Sequence, residues 1–433
     1  MSLLTQFRVR SRAGLTLARR GRAHRRSAVA LAAAVGLMAL AGCSSAGGTG
    51  TTTLSFTSWD TAAVMKPLIT AFEKENPKIK VAPSYVSPPT YIATLQTRML
   101  AGTASDVVIL NPEDQTQLVA NKKLLDLTSA PFVSNLASVN KQTYSVDGKL
   151  YGASVASWGG GVLYNEELLK KVGFTTPPQS WSEFLALSQK LKAAGITPFY
   201  EAGDGISVSL LALLGLQNEA SGGTMDADIF SGKTTFEKEW TPALETWGQL
   251  FSTGVESRDT AGLTGDQVVA SFVKGDVAMI GTGPWTVSTV RAGAPKMTLG
   301  FFAVPGSTKG DTFWAGAASP AYAINAKTQN KDAAEKFISF LTSKSGAELY
   351  NKGTAAITTT TNFTPVVDTA IKPMVEPVQK GKIYFASVSW PKYQNALSPY
   401  VNSLLQQFIQ GKYSASETAG MIDKKLAELK AAG

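Results

Sequence analysis

Tryptophans near the ends of predicted strands are the side chains in this sequence best suited to holding a ligand. An indole ring offers a wide, rigid apolar face and one N–H donor, while carboxylates, amides and hydroxyls add polar groups. The chain carries eight tryptophans, and several stand beside such groups or in glycine turns. The candidate ligand-binding residues are Trp59, Asp60, Asn111, Trp158, Tyr200, Glu201, Asp204, Thr282, Trp285, Trp314 and Trp390. Together they predict a site for a molecule with apolar faces and a polar rim.

Structural interpretations of these residues stay open beside the functional one. Trp158 could be a buried ring next to a strained turn, and Asn111 could only cap the helix that follows it. Trp314 and Trp390 fit a core position as well as a ligand site. The tryptophans at 181, 240 and 247 lie inside predicted helices, which favours structural roles for them.

Histidine and cysteine chemistry is nearly absent from the chain. The single histidine, His24, and the single cysteine, Cys43, both precede the predicted folded part. This excludes His-based catalytic triads, His metal ligands and disulfides there, and no cofactor or metal is predicted. A glycoside hydrolase would need two opposed carboxylates. Glu201 and Asp204 lie three residues apart on one loop, which disfavours that role.

The net charge of +9 belongs to the N-terminal leader. Eight arginines and no acid precede the apolar run at 28–41, so the rest of the chain carries about +1. A basic patch for nucleic acid is therefore not expected.

Residues 1–42 have the pattern of a signal peptide, since the apolar run is too short for a stable membrane span. The run ends in LAGC at 40–43, which resembles a bacterial lipobox in which Cys43 is lipidated. An ordinary signal peptide with an incidental cysteine is the alternative, and Arg25 with Arg26 leaves the export route open between Sec and twin-arginine. Residues 43–53 predict a lipidated cysteine followed by a flexible tether.

Alternating strand and helix patterns after residue 53 predict an α/β fold. The segment at 54–58 alternates like a strand, and 107–110 is an apolar run of the kind buried in a parallel sheet. Ligands of open α/β sheets bind beyond the carboxyl ends of strands. Trp59, Asp60 and Asn111 stand at such positions.

The segment 157–165 (SWGGGVLYN) is predicted to be the pivot of the chain. Three consecutive glycines allow unusual backbone angles and close approach, so a flexible middle is expected. The hypothesis is that this segment crosses between two lobes and that Trp158 lines the cleft between them.

Short motifs in a fixed order make the chain resemble a family 1 extracellular solute-binding protein, the substrate-capturing lipoprotein of bacterial carbohydrate ABC importers. The motifs are DGKLYG at 147–152, LYNEEL at 163–168, KVGF at 171–174, PPQSWSEF at 177–184, FVKGDVAM at 272–279, GPW at 283–285 and NKDAAEKF at 330–337. The resemblance covers nearly all of the predicted mature chain.

This resemblance implies a two-lobe, periplasmic-binding-protein-like α/β fold of type II with an interlobe ligand cleft and several hinge crossings. By analogy, lobe 1 takes 54–154 and 317–368, and lobe 2 takes 155–316 and 369–433. The family stacks aromatic rings on sugars, and the matching positions here are Trp158, Trp285 and Trp390. The glycine-rich segment after Trp158 departs from the usual crossing.

The function expected from the resemblance is capture of a neutral mono- or oligosaccharide by lobe closure and delivery to ABC importer permease subunits. The protein is expected to be a binding protein and not an enzyme, lipid-anchored at the outer face of the bacterial cell membrane. A polyamine, peptide or phosphate ester is the alternative ligand in the same transport role. A phosphate ester would favour Arg or Lys in the candidate loops, and none of those loops carries an Arg.

Overall fold

The computed structural model describes residues 50–432, apart from the side chains of Pro88 and Pro89. The predicted signal peptide, the lipidation at Cys43 and most of the predicted tether lie outside the described residues. The tether prediction extended to residue 53, whereas the first strand already begins at Thr52. Within 50–432, no helix has both the length and the apolar character needed to cross a bilayer.

Strands and helices alternate along the described chain, as the sequence pattern predicted. The strands are β1 (Thr52–Ser58), β2 (Ile79–Tyr85), β3 (Val107–Leu110), β4 (Ser145–Val146), β5 (Lys149–Leu150), β6 (Ala153–Ser154), β7 (Ala156–Asn165), β8 (Thr197–Tyr200), β9 (Val277–Thr282), β10 (Leu299–Phe302), β11 (Val304–Pro305), β12 (Thr312–Ala318), β13 (Ala321–Ile324), β14 (Ile357–Thr358) and β15 (Ile383–Tyr384).

The helices cover the faces of the sheets. They are α1 (Ala62–Glu75), α2 (Pro88–Ala101), α3 (Pro112–Ala120), α4 (Ser138–Thr143), α5 (Glu166–Lys170), α6 (Trp181–Ala193), α7 (Val208–Ala220), α8 (Met225–Ser231), α9 (Phe236–Ser252), α10 (Gly265–Lys274), α11 (Trp285–Gly293), α12 (Lys331–Leu341), α13 (Lys344–Thr354), α14 (Lys372–Gln379), α15 (Ala386–Ser389), α16 (Gln394–Ile409) and α17 (Ala415–Ala431).

We call lobe 1 the body built on a five-stranded sheet of order β2-β1-β3-β13-β6. β1 pairs in parallel with β2 and β3, while β13 runs antiparallel to β3. The four residues of β3 are all buried, as expected for a strand covered on both faces. Helix α12 adds Phe337 and Ile338 to this core.

Lobe 2 is the body built on the eight-stranded sheet, which is centred on β7. This strand pairs with β9, β10, β12 and β14, so it holds most of the sheet together. The neighbouring residues Val162 and Leu163 belong to different hydrophobic clusters, which shows that both faces of β7 are buried. Helices α7, α9 and α16 supply much of the larger cluster.

The glycine segment is not the flexible crossing that the sequence predicted. It lies in the middle of β7, and Gly159, Gly160 and Gly161 have no positive φ. They are needed for close packing instead. A Cβ at Gly159 would lie 2.7 Å from Val378, and one at Gly161 would lie 2.5 Å from the Trp314 ring.

The chain passes between the lobes at the ends of strands. It leaves lobe 1 after β6 and enters β7 two residues later, and it returns between β12 and β13. The prediction placed 317–368 in lobe 1 and the next crossing to lobe 2 at residue 369. The short strand β14 already pairs with β7 of the lobe 2 sheet before that point. Thr360 and Thr361 then bond back to Leu136 and Asn135 of lobe 1.

Candidate functional site

The first two predicted site residues lie at the carboxyl end of β1 in lobe 1. Trp59 is half-buried there and meets the ring of Tyr91 edge-on, with 5.1 Å between centroids. The Tyr91 hydroxyl donates to the Ile109 carbonyl (2.9 Å) and accepts from the Ile109 N–H (2.8 Å). Tyr91 is therefore fixed to β3, and it holds Trp59 in place.

Asp60 follows Trp59 and lies against buried tyrosines. Its Oδ2 atom is buried without a hydrogen-bond partner among the described residues. Burial raises the pKa of Asp60 to about 6, although the Tyr350 hydroxyl opposes this shift. Asp60 is thus a carboxyl whose proton is lost only as the pH approaches neutrality.

The start of α3 brings two more polar groups to the site. Asn111 occupies the N-cap position, yet its side chain makes no capping hydrogen bond. The alternative that it serves only as a helix cap is therefore not supported. Glu113 follows in the first turn of α3, and burial raises its pKa. Sequence reasoning missed Glu113 because an acid in a first helical turn is ordinary.

Asn111 and Glu113 line a cavity of about 280 Å³ between the lobes, the interlobe cavity. The Ser387 hydroxyl of lobe 2 lies 3.4 Å from Glu113 Oε1 and donates to it across this gap. The other lining residues are Ile92, Gly205, Ile206, Phe385, Gln394, Asn395, Ser398, Pro399 and Asn402. Glu113 is the only ionisable side chain among them, so the cavity is lined mainly by neutral polar groups and apolar surface.

Two polar atoms at this cavity lack partners within the described residues. Ser398 Oγ and Asn402 Oδ1 are buried, and neither has a hydrogen bond in the protein. Buried polar groups without partners are costly. A hydroxylated ligand, or water in its absence, would satisfy them.

The lobe 2 wall carries three rings in contact, Phe385, Trp158 and Trp285, which we call the aromatic row. Trp158 meets Trp285 edge-on (5.4 Å, 74°) and Phe385 likewise (5.5 Å, 75°). Trp158 is half-buried and Trp285 is 57% exposed. Phe385 also lines the interlobe cavity, so apolar surface leads from that cavity outward to Trp285.

Local sequence explains how the outer end of the row is built. β9 ends at Thr282, and α11 begins at Trp285 after Gly283 and Pro284. A Cβ at Gly283 would collide with the Trp285 ring, so glycine makes room for the indole to lie over the turn. Thr282 is buried and shares a 2.6 Å hydrogen bond with the Thr286 hydroxyl.

A family model described as bacterial extracellular solute-binding protein matches residues 58–348. This chain belongs to that family. Its membership implies an extracytoplasmic binding protein.

Several relatives agree with this assignment. The multiple sugar-binding protein of Streptococcus mutans serotype c is 28% identical over 297 residues, covering 66% of this chain and 70% of that protein. A family 1 extracellular solute-binding protein from Bifidobacterium longum subsp. infantis matches with a TM-score of 0.77 and 30% identity, covering 88% of this chain and 100% of that one. RafE from Streptococcus pneumoniae, in its apo form, gives 0.75 at 21% identity, covering 88% and 99%. RafE in complex with raffinose gives 0.71 at 21% identity, covering 87% and 100%. The predicted two-lobe fold is confirmed.

Two predicted site tryptophans of this solute-binding protein lie in cores instead of on the cleft. Trp390 is 1% exposed and packs against Phe236 and Trp240. Trp314 is 5% exposed, and its ring lies over Gly161 in the lobe 2 sheet. Trp314 belongs to β12, a strand of that sheet. Both rings are enclosed because helices and strands from distant parts of the chain cover them.

The predicted loop after β8 also has a structural role. Glu201 is 3% exposed, and it accepts hydrogen bonds from the Ser209 N–H (2.8 Å) and hydroxyl. Its own N–H donates to Glu256 Oε1 at 2.6 Å. Burial raises the pKa of both carboxyls. Glu201 therefore anchors the loop to α7 and is not presented to a ligand.

Tyr200 and Asp204 are not among the residues that line the interlobe cavity. Tyr200 faces a groove with Lys192 and Gly254. Asp204 is exposed, and its carboxylate accepts from the Gly265 N–H at 3.3 Å. Of the predicted residues, the structure thus gathers Asn111 at the cavity and Trp158 and Trp285 in the row, while Trp59 and Asp60 follow β1 on the lobe 1 side.

Proposed function

We propose that this solute-binding protein captures a neutral saccharide, most simply an oligosaccharide, between its lobes and delivers it to the permease of an ABC importer. The observation that carries the proposal is the aromatic row beside a cavity lined by neutral amides and hydroxyls. A sugar ring has C–H faces that pack on indole and hydroxyls that pair with amides.

The cavity chemistry disfavours charged ligands. A polyamine would need several carboxylates. Glu113 is the only acidic side chain among the described residues that line the cavity. A phosphate ester would need Arg or Lys, and the lining contains neither. The names of relatives point the same way, since one is a multiple sugar-binding protein and RafE was solved with raffinose.

Binding would act through lobe closure. A ligand that touches Asn111 of lobe 1 and Phe385 of lobe 2 at once stabilises the closed form by its contacts with both. The interlobe hydrogen bond from Ser387 to Glu113 shows that the two walls come within polar contact. We propose lobe 1 (54–154 and 317–368) and lobe 2 (155–316 and 369–433) as the moving bodies, with the short strand β14 of 317–368 paired to the lobe 2 sheet.

Lipidation of Cys43 would keep the protein at the outer face of the cell membrane, near the permease. One acyl chain gives only marginal attachment, so we expect more than one. Cys43→Ala is expected to release the protein into the medium, as measured by immunoblotting of cell and medium fractions. Equal retention of the variant would refute the anchor and leave the ligand proposal untouched.

The ligand assignment is tested by isothermal titration of the mature protein. The panel comprises mono-, di- and trisaccharides, spermidine, a tripeptide and glucose 6-phosphate. We expect saturable binding of at least one neutral saccharide. Binding of spermidine, peptide or phosphate ester without any saccharide would overturn the assignment.

A further inference from the structure

A second cavity on lobe 2 is larger than the interlobe cavity. A space of about 520 Å³, the outer cavity, lies between α10 and α11 on lobe 2. Its volume falls in the range of about 300–1,000 Å³ that is typical of small-molecule sites. The interlobe cavity, at about 280 Å³, lies at the lower edge of that range.

The outer cavity is continuous with the aromatic row through Trp285. This ring contacts Trp158 and also lines the outer cavity. It is also among the few large apolar side chains that are exposed in the described chain. An exposed indole in a cavity wall offers an apolar surface on which the C–H face of a sugar ring can pack.

The walls of the outer cavity combine an apolar side with polar groups. Val269, Ala270 and Val273 of α10 form the aliphatic side, and Val273 closes the far end against Gly293. Thr286 and Thr289 of α11 add hydroxyls. Asp266 and Lys274 stand at opposite ends of α10.

We propose that the outer cavity binds a further sugar ring of an oligosaccharide whose other end occupies the interlobe cavity. The inference rests on the proposed function and specifies its ligand class: a chain long enough to run over Trp158 and Trp285 and reach α10. The C–H face of the ring packs against the aliphatic side and the indole, and its hydroxyls meet Thr289 and the charged ends of α10.

The test is a titration of two neutral series with the mature protein, maltose to maltohexaose and sucrose to stachyose, against matched variants. Thr289→Leu replaces a hydroxyl in the wall of the outer cavity by a bulkier apolar side chain, whereas Ser288→Leu adds the same side chain one residue away, at an exposed position outside the cavity lining. Both positions are exposed, so both variants are expected to fold, as checked by circular dichroism.

In the series that binds, we expect the Kd to fall about tenfold for the ring that reaches the outer cavity, equivalent to about 1.4 kcal/mol. Thr289→Leu should abolish that gain and leave the Kd of the shortest bound saccharide within about twofold of the original. Ser288→Leu should retain the gain.

The outcomes separate the two proposals. A Kd independent of chain length, or a gain that survives in Thr289→Leu, overturns the outer-cavity inference while the proposed function stands. Failure of every saccharide to bind overturns the proposed function itself.

Discussion

The aromatic row and the interlobe cavity meet at Phe385, yet they differ in the free-energy cost of being without a ligand. The row is apolar, and exposed rings such as Trp285 carry no unpaired buried polar atom at the cleft. The cavity holds Ser398 Oγ and Asn402 Oδ1, which lack partners in the described protein, and a half-buried Glu113. We therefore propose that the row supplies affinity for any ring face, whereas the cavity discriminates between arrangements of hydroxyls.

Removing the centre of the row is expected to have the largest effect. Trp158→Ala takes away the ring that contacts both Phe385 and Trp285. We expect the saccharide Kd to rise about 100-fold, or about 2.7 kcal/mol, for every sugar that binds. Titration calorimetry measures this loss. Trp390→Phe is the control, because that core ring should affect stability and not the Kd; a normal Kd in Trp158→Ala would refute the importance of the row.

A buried acid should give a pH dependence of stability that aromatic rings cannot give. Burial raises the pKa of Asp60 from 3.8 to about 6, so the folded protein holds this proton more tightly than the unfolded chain. The contribution to stability is full below pH 3.8 and is lost as the pH rises towards 6. The loss is at most about 1.4 kcal/mol per pH unit in that window.

Urea denaturation at pH 4 to 8 measures this effect. Asp60→Asn is expected to flatten the profile in that window, while Trp285→Ala should keep the slope of the parent protein. An unchanged slope in Asp60→Asn would show that other buried acids carry the pH dependence.

Substitutions of Glu113 test whether the interlobe cavity discriminates between sugars. Glu113→Ala removes an acceptor that Ser387 meets across the gap, and we expect a Kd about tenfold higher. Glu113→Gln keeps one oxygen acceptor and should lose less. Kd ratios between two epimeric sugars should change in both variants but not in Trp158→Ala. If the Kd ratio of the two epimers is the same in all variants and in the parent protein, the cavity does not discriminate between sugars differently from the row.

The smallest effect is expected at Ser398. Ser398→Ala removes a buried hydroxyl that has no partner in the described protein, so the ligand-free protein should be unchanged or more stable by about 1 kcal/mol. Saccharide affinity should fall only severalfold. Paired urea denaturation with and without saccharide separates the two quantities. Lower stability without ligand would mean that water already satisfies this hydroxyl.

Local features of the fold followed closely from the sequence. The hairpin at 144–151 turns at Asp147 and Gly148, which both have positive φ, as the Asp-Gly pair predicts. Ser180 caps α6 through the Glu183 N–H. The Glu183 carboxylate, however, accepts from the N–H of Gln179 and not from that of Ser180, so the Ser-x-x-Glu spacing forms only half of a capping box. Such features depend on neighbours within a few residues.

Whether a tryptophan lies in a core or on the surface could not be predicted from its neighbours in the sequence. Trp285 comes shortly after the strand β9, and Trp390 directly follows the short helix α15. Trp285 is nevertheless 57% exposed, whereas Trp390 is 1% exposed. Trp390 is covered by Phe236 and Trp240, which lie about 150 residues earlier in the chain. No local sequence pattern predicts that these two rings pack on Trp390.

Residue types and their short spacings were enough to predict the alternation of strands and helices, the family motifs and the chemical character of the candidates. Which groups share a site depends instead on contacts between distant segments. Glu113 and Ser387 are 274 positions apart, and their contact arises where α3 of lobe 1 meets α15 of lobe 2. The glycines of β7 show the same dependence, since their role is set by Trp314 and Val378 packing on them from distant segments.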